Sequence, residues 1–136
     1  MSLDDLYREV ILDHYQHPRN YGTLENPDIS AQDSNPLCGD EIRMDLKLKD
    51  GVIEKVRFSG QGCSISKAAA SMLTEAVEGK PIEEVKKMNR EDILEMLGID
   101  LGPVRLKCAL LGLKALKVGI YEFQGSALPP EEDEDQ

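Results

Sequence analysis

Glu41-Ile42-Arg43-Met44-Asp45-Leu46-Lys47-Leu48-Lys49-Asp50-Gly51-Val52-Ile53-Glu54-Lys55-Val56-Arg57-Phe58-Ser59 decides the fold of this chain. From Glu41 to Lys49 the alternation is strict. Ile42, Met44, Leu46 and Leu48 fall on one side; Glu41, Arg43, Asp45, Lys47 and Lys49 fall on the other. A period of two marks a strand buried on one face. Asp50-Gly51 forms a two-residue turn in which both residues tolerate positive φ, so Val52 to Ser59 returns as an antiparallel partner. A lone hairpin is rarely stable in water, so a third strand is expected, and part of residues 28–38 is available to supply it.

The flanks of the hairpin are helical. Ser2 followed by Asp5 starts a helix that runs from Leu3 to about Gln16 and ends before Pro18, with Leu3, Leu6, Val10, Ile11 and Tyr15 at helical spacing. His14 and His17, the two histidines, fall near its C-terminal end, where they read as capping or solvent-facing residues rather than metal ligands. Residues 18–35 are rich in Pro, Asn, Gly and Asp and read as an extended connection. After the hairpin, Ser64 or Ser66 can cap a helix over Lys67 to Glu78, stopped by Gly79. A short helix follows over Pro81 to Lys87, and another from Asn89 to Gly98. A long one spans Val104 to Phe123, with Val104, Cys108, Leu111, Ala115, Val118 and Tyr121 along one stripe. The order predicts an α+β domain: a small three-stranded antiparallel sheet with helices packed on one face, over residues 1–124. Residues 125–136 are acidic, carry Pro129-Pro130, and read as a disordered solubilising tail.

The net charge is −10, but Glu131-Glu132-Asp133-Glu134-Asp135 supplies five of the negatives, leaving a body of about −5. That body has no electrostatic footprint for nucleic acid or an anionic membrane surface, which excludes nucleic-acid binding as the main activity. Three cysteines without a close pair argue against a disulfide framework and for a reducing compartment. The charged start (Asp4, Asp5, Arg8, Glu9) reads as neither signal peptide nor membrane span, so the expected location is the cytoplasm.

The chemistry gathers at the cysteines. Cys38 stands before a strand in Asn35-Pro36-Leu37-Cys38-Gly39-Asp40. Cys63 lies in the glycine-rich turn Gly60-Gln61-Gly62-Cys63-Ser64, and Cys108 in the early turns of the last helix. Thiolates near helix N-termini gain from the local positive potential. Asp40 lies two residues from Cys38, and an extended segment points both the same way. Cys38, Asp40, Cys63 and Cys108 are therefore candidates for one thiolate-rich metal or sulfur site. Three sulfurs and a carboxylate suffice for tetrahedral zinc or for part of an iron–sulfur ligand set. The plainer reading is that each cysteine is a small buried hydrophobe, and spacing alone does not separate the two. A carboxylate in place of a fourth thiolate would hold a thiophilic metal less permanently, which suits a site that exchanges its contents. A zinc site that merely staples the fold, and a cysteine hydrolase, are further readings; the second is disfavoured because both histidines lie on the first helix.

Asn35-Pro36-Leu37-Cys38-Gly39-Asp40-Glu41, Gly60-Gln61-Gly62-Cys63-Ser64-Ile65-Ser66 and Pro103-Val104-Arg105-Leu106-Lys107-Cys108, in this order, resemble the U-type iron–sulfur assembly proteins: IscU, SufU and the N-terminal domain of NifU. The resemblance runs from about Leu6 to the end of the last helix. It implies the IscU-like fold, sulfur received from a cysteine desulfurase, and either a transient [2Fe–2S] cluster passed to apo-proteins or a sulfur relay. It also implies zinc in the site of many isolated members. By position Cys38, Asp40, Cys63 and Cys108 are the implied ligands, and the implied persulfide acceptor is Cys108 in the scaffold branch or Cys38 in the SufU branch. In the first case the chain is a scaffold rather than an enzyme; in the second it is a sulfurtransferase-like relay. Lys107 departs from the scaffold branch, which carries histidine there, and follows the SufU habit. The compact stretch from Lys80 to Gly102 lacks the longer insertion usual in SufU. Leu101-Gly102-Pro103-Val104-Arg105 partly matches the scaffold branch's chaperone motif, with Gly in place of a second proline.

Overall fold

The computed structural model describes residues 3–36 and 39–126. Its elements are α1 (Leu3–Gln16), β1 (Ile29–Asn35), β2 (Asp40–Lys49), β3 (Val52–Gln61), α2 (Ser64–Val77), α3 (Ile82–Val85), α4 (Arg90–Leu97) and α5 (Pro103–Phe123). The three strands form an antiparallel sheet in the order β1-β2-β3, and the third strand falls in the segment the hairpin required. Asp50 and Gly51 take φ of 54° and 76°, as the two-residue turn demands.

The inner face of β2 is as the alternation predicts: Ile42, Met44 and Leu46 are buried. In β3 the pattern changes phase. Lys47 pairs with Lys55 but Leu48 with Ile53, so Glu54 is an extra residue in the ladder. This bulge lets Ile53, Val56 and Phe58 all face the core despite their uneven spacing. Residues 20–22 bond to the free edge of β3 through Gly22 N to Phe58 O (2.8 Å) and Phe58 N to Asn20 O (2.9 Å). An edge paired in this way is closed to other chains.

The helices lie against one face of the sheet, α5 on β1 and β2 and α2 on β3, with α1 packed on α2. The single stripe expected of α5 is corrected. Cys108, Leu111 and Ala115 are buried, but so are Leu110, Leu113, Leu116 and Ile120, while Val104 is exposed. The helix is clasped between the sheet and α2, so more than one of its faces is covered. Gly119 permits the close approach, because a Cβ there would lie 2.7 Å from Ile29 Cγ2 and 2.9 Å from Ala31 Cβ. The face of α1 is also corrected: Ile11 and His14 are buried, whereas Leu6, Val10 and Tyr15 are exposed. Its main partner is α2, with Tyr7 also lying against Gly98, and the helix is turned so that His14 Nδ1 meets Ser71 Oγ at 2.8 Å. His14 is thus an interior residue, not a solvent-facing one. The α4 caps follow the sequence reading, with a reciprocal Asn89–Asp92 capping box and a left-handed Gly98.

Candidate metal and sulfur site

Three elements converge at one end of the sheet. Asp40 is the first residue of β2, Cys63 is the N-cap of α2, and Cys108 lies in the second turn of α5. One ligand atom from each, the two thiol sulfurs and a carboxylate oxygen, all lie within 4.8 Å of one another. Asp40 and Cys108 are buried, at 4% and 3% exposure, and Cys63 is half-buried. The group contains no histidine among the described residues. Cys38 lies outside the described residues. The described residues on either side are paired, Asn35 with Asp40, and Gly39 N donates to Asn35 O at 2.8 Å.

Local sequence explains the placement. Asp40 has the parity of Ile42 and Met44, so it continues the core face of β2 to the end of the strand, where the hydrophobic side chains stop. The backbone N–H of Cys63 donates to Asp40 Oδ1 at 3.2 Å, which fastens β2 to the start of α2. The positive end of the α2 dipole therefore points into the site, while Cys108 lies beyond the first turn of α5, where such an effect fades. Neither Ser64 nor Ser66 is the N-cap; the helix begins one turn earlier than the alanine run suggests, on Cys63 itself.

Sequence reasoning placed Ser66 as a cap and missed its relation to the sulfur. The Ser66 hydroxyl donates to Cys63 O at 3.1 Å, and the Cys63 thiol donates to Ser66 Oγ at 3.8 Å. The signal was the spacing, since Cys63 and Ser66 stand as N-cap and third helical residue. Lys107 is exposed and lines a cleft of about 140 Å³ with Asp33, Asn35, Pro36 and Lys114, on the β1 side of α5.

A buried carboxylate beside two sulfurs, at a helix N-terminus, has donor chemistry that a thiophilic metal could use. Comparison with known proteins shows the family. Residues 6–128 match the NifU-like N terminal domain family, and the chain belongs to that family. It is 42% identical over 141 residues to the zinc-dependent sulfurtransferase SufU of Bacillus subtilis, covering 91% of this chain and 95% of that protein. It is 40% identical over 142 residues to the iron–sulfur cluster assembly scaffold protein IscU of Aquifex aeolicus, covering 96% and 90%. Among solved structures, the N-terminal region of a nitrogen-fixing NifU-like protein from Brucella abortus superposes with a TM-score of 0.73 at 25% identity, covering 92% of this chain and 99% of that one. No helix among the described residues is long and apolar enough to cross a membrane.

Proposed function

We propose that this chain is a scaffold for iron–sulfur cluster assembly. It accepts sulfur from a cysteine desulfurase, builds a [2Fe–2S] cluster on Cys38, Asp40, Cys63 and Cys108, and passes it to apo-proteins in the cytoplasm. The observation that carries this reading is the meeting of Asp40, Cys63 and Cys108, from three separate elements, within 4.8 Å. Thiolates hold iron and zinc firmly; the harder carboxylate holds them less well and leaves one position of the set exchangeable.

Sulfur enters as a persulfide, and an external electron donor of the thiol or ferredoxin class must reduce its outer sulfur to sulfide before it can bridge iron. An acceptor thiolate attacks the outer sulfur of the desulfurase persulfide, the S–S bond there breaks, and the desulfurase cysteine leaves as a thiolate. Of the two candidate acceptors, Cys108 is 3% exposed, and a thiol so buried is poorly placed to meet another protein's persulfide. That supports Cys38 as the first acceptor and Cys108 as a later holder of sulfur or metal. The segment Leu101 to Arg105, exposed from residue 102 to 105, is what a releasing chaperone would read.

A second reading is favoured by two observations. Lys107 stands where the scaffold branch has histidine, and the chain is 42% identical to a zinc-dependent sulfurtransferase. In this reading zinc occupies the same four residues and Cys38 shuttles sulfur without iron. Anaerobic reconstitution with a cysteine desulfurase, cysteine, ferrous iron and a thiol reductant, which supplies the electrons that turn persulfide sulfur into sulfide, separates the two. A stoichiometric [2Fe–2S] visible spectrum, lost in Cys63→Ser, is the scaffold result. Retained zinc, no cluster and faster desulfurase turnover is the shuttle result. No cluster and no stimulation overturns both.

A further inference from the structure

Cys63 and Ser66 share more than a helix turn. Ser66 is 1% exposed, and its hydroxyl lies against the Cys63 carbonyl (3.1 Å) and the Cys63 sulfur (3.8 Å) at once. The neighbouring residue makes room for it: a Cβ at Gly62 would overlap Ser66 Oγ and come within 3.1 Å of Asp40 Cγ. The hydroxyl, the thiol and the carboxylate are therefore one packed group at the start of α2.

A serine hydroxyl has one proton to give and two lone pairs to receive. With Cys63 as a thiol, the arrangement is consistent in both directions: the S–H donates to Oγ, and the O–H donates to the carbonyl. A metal or cluster on Cys63 takes the thiol proton away. The sulfur then has nothing to donate and carries negative charge, and hydrogen bonds to charged acceptors are about twice as strong as neutral ones. The Cys63 carbonyl does not depend on the hydroxyl, since Lys67 N also donates to it at 3.1 Å as the first bond of the helix. Rotation about the Ser66 side chain can thus move the proton from carbonyl to sulfur without leaving the carbonyl orphaned.

We propose that Ser66 is a positioning residue for the site, one that turns its hydroxyl onto the Cys63 thiolate when metal is bound and so strengthens zinc or cluster retention. The inference rests on the assignment of Cys63 as a metal ligand made above. Outer partners of this kind orient ligands and change metal affinity by about 10–100-fold when removed.

The test is zinc affinity by chelator competition in wild type, Ser66→Ala and Ser66→Thr, alongside thermal melts of the metal-free proteins. Affinity reports the difference between loaded and empty states. A hydroxyl that serves only the empty fold, through the carbonyl, would lower the melting temperature of Ser66→Ala and leave its affinity unchanged or improved. The expected result is zinc binding weaker by about tenfold in Ser66→Ala and close to wild type in Ser66→Thr, which keeps the hydroxyl. Unchanged affinity in Ser66→Ala, or equal weakening in both variants, overturns the role of Ser66 and leaves the site assignment standing. A wild-type chain that does not retain zinc overturns the site assignment itself. A measurement free of folding effects uses cadmium-loaded wild type: through-bond NMR coupling between the Ser66 hydroxyl proton and the metal is expected. A hydroxyl proton that stays on the Cys63 carbonyl in the loaded protein contradicts the proposal.

Discussion

Asp40 and Asp45 are two buried acids on one strand, at 4% and 1% exposure, and they face opposite sides of the sheet. Asp45 lies on the outer face, where Ser30 Oγ (2.7 Å), Arg43 Nε (2.9 Å) and Leu24 N (3.1 Å) all donate to its two oxygens. It ties β1, β2 and the 18–28 connection together. Asp40 lies on the inner face at the end of the strand, beside the sulfurs of Cys63 and Cys108. Burial alone does not make an acid functional. What differs is the neighbours: Asp45 is surrounded by donors that make it a structural tie, whereas Asp40, which accepts from Cys63 N, also stands beside two thiols that could share a metal with it.

The largest effect that would sharpen this contrast is at the sulfurs. Cys63→Ser and Cys108→Ser should each weaken zinc binding by more than the roughly 10–100-fold expected of an outer partner, measured by chelator competition. If Cys108→Ser keeps its affinity, the three residues do not share a metal.

Next, the two acids should part company. Asp45→Asn should cost about 1–3 kcal/mol of stability, since buried donors lose a charged acceptor, and should leave zinc affinity unchanged. Urea unfolding with and without zinc checks both halves. Asp40→Ala should instead retain a cluster longer, because the exchangeable oxygen ligand is gone. Transfer to an apo-ferredoxin decides it, and faster transfer by the variant would break the comparison.

Acid titration gives a further separation. Burial by itself would raise the Asp45 carboxyl, but the hydrogen bonds from Arg43, Ser30 and Leu24 N outweigh it and hold it below its ordinary 3.8. The unfolded chain therefore binds this proton more readily. The stability Asp45 contributes is full above pH 3.8 and is lost as pH falls through its folded value. Asp45→Asn should flatten that part of the stability–pH curve.

The smallest expected effect lies at α1. Burial, aided by the Arg19 charge, lowers the His14 pKa from 6.5, while Glu75, 3.7 Å from Nε2, pulls the other way without prevailing. Stability from neutral His14 is full above pH 6.5 and declines as pH falls below it. His14→Gln should remove that decline, read as melting temperature between neutral and mildly acidic pH. An unchanged slope would mean that His14 is not held neutral by its place against α2.

The sheet was legible because its signals are local. Alternation in β2 and the Asp50-Gly51 turn need no partner to be read, and the third strand followed from the instability of two. The start of α2 was less legible, because Cys63 caps through its position and not through a capping side chain. The faces of α1 and α5 were misread for a tertiary reason. Apolar spacing says that a helix has a buried side, but not that α5 is covered on several sides or that a histidine displaces Val10 and Tyr15 from the interface. At the site, Asp40, Cys63 and Cys108 were named by residue type and setting, and the structure brings them together. Cys38 and the acidic segment after residue 126 lie outside the described residues. The Ser66 hydroxyl was missed as a sulfur partner because its spacing signal depends on knowing that Cys63 is the N-cap.

The central claim is that Asp40, Cys63 and Cys108, with Cys38, hold one metal. Cobalt(II) substitution tests it most directly, since thiolate-to-cobalt charge-transfer absorption reports how many sulfurs bind. The account predicts a tetrahedral cobalt spectrum whose charge-transfer intensity falls stepwise in Cys38→Ser, Cys63→Ser and Cys108→Ser, and stays at full strength in Asp40→Ala. A spectrum that any one of the three cysteine variants leaves unchanged would contradict it.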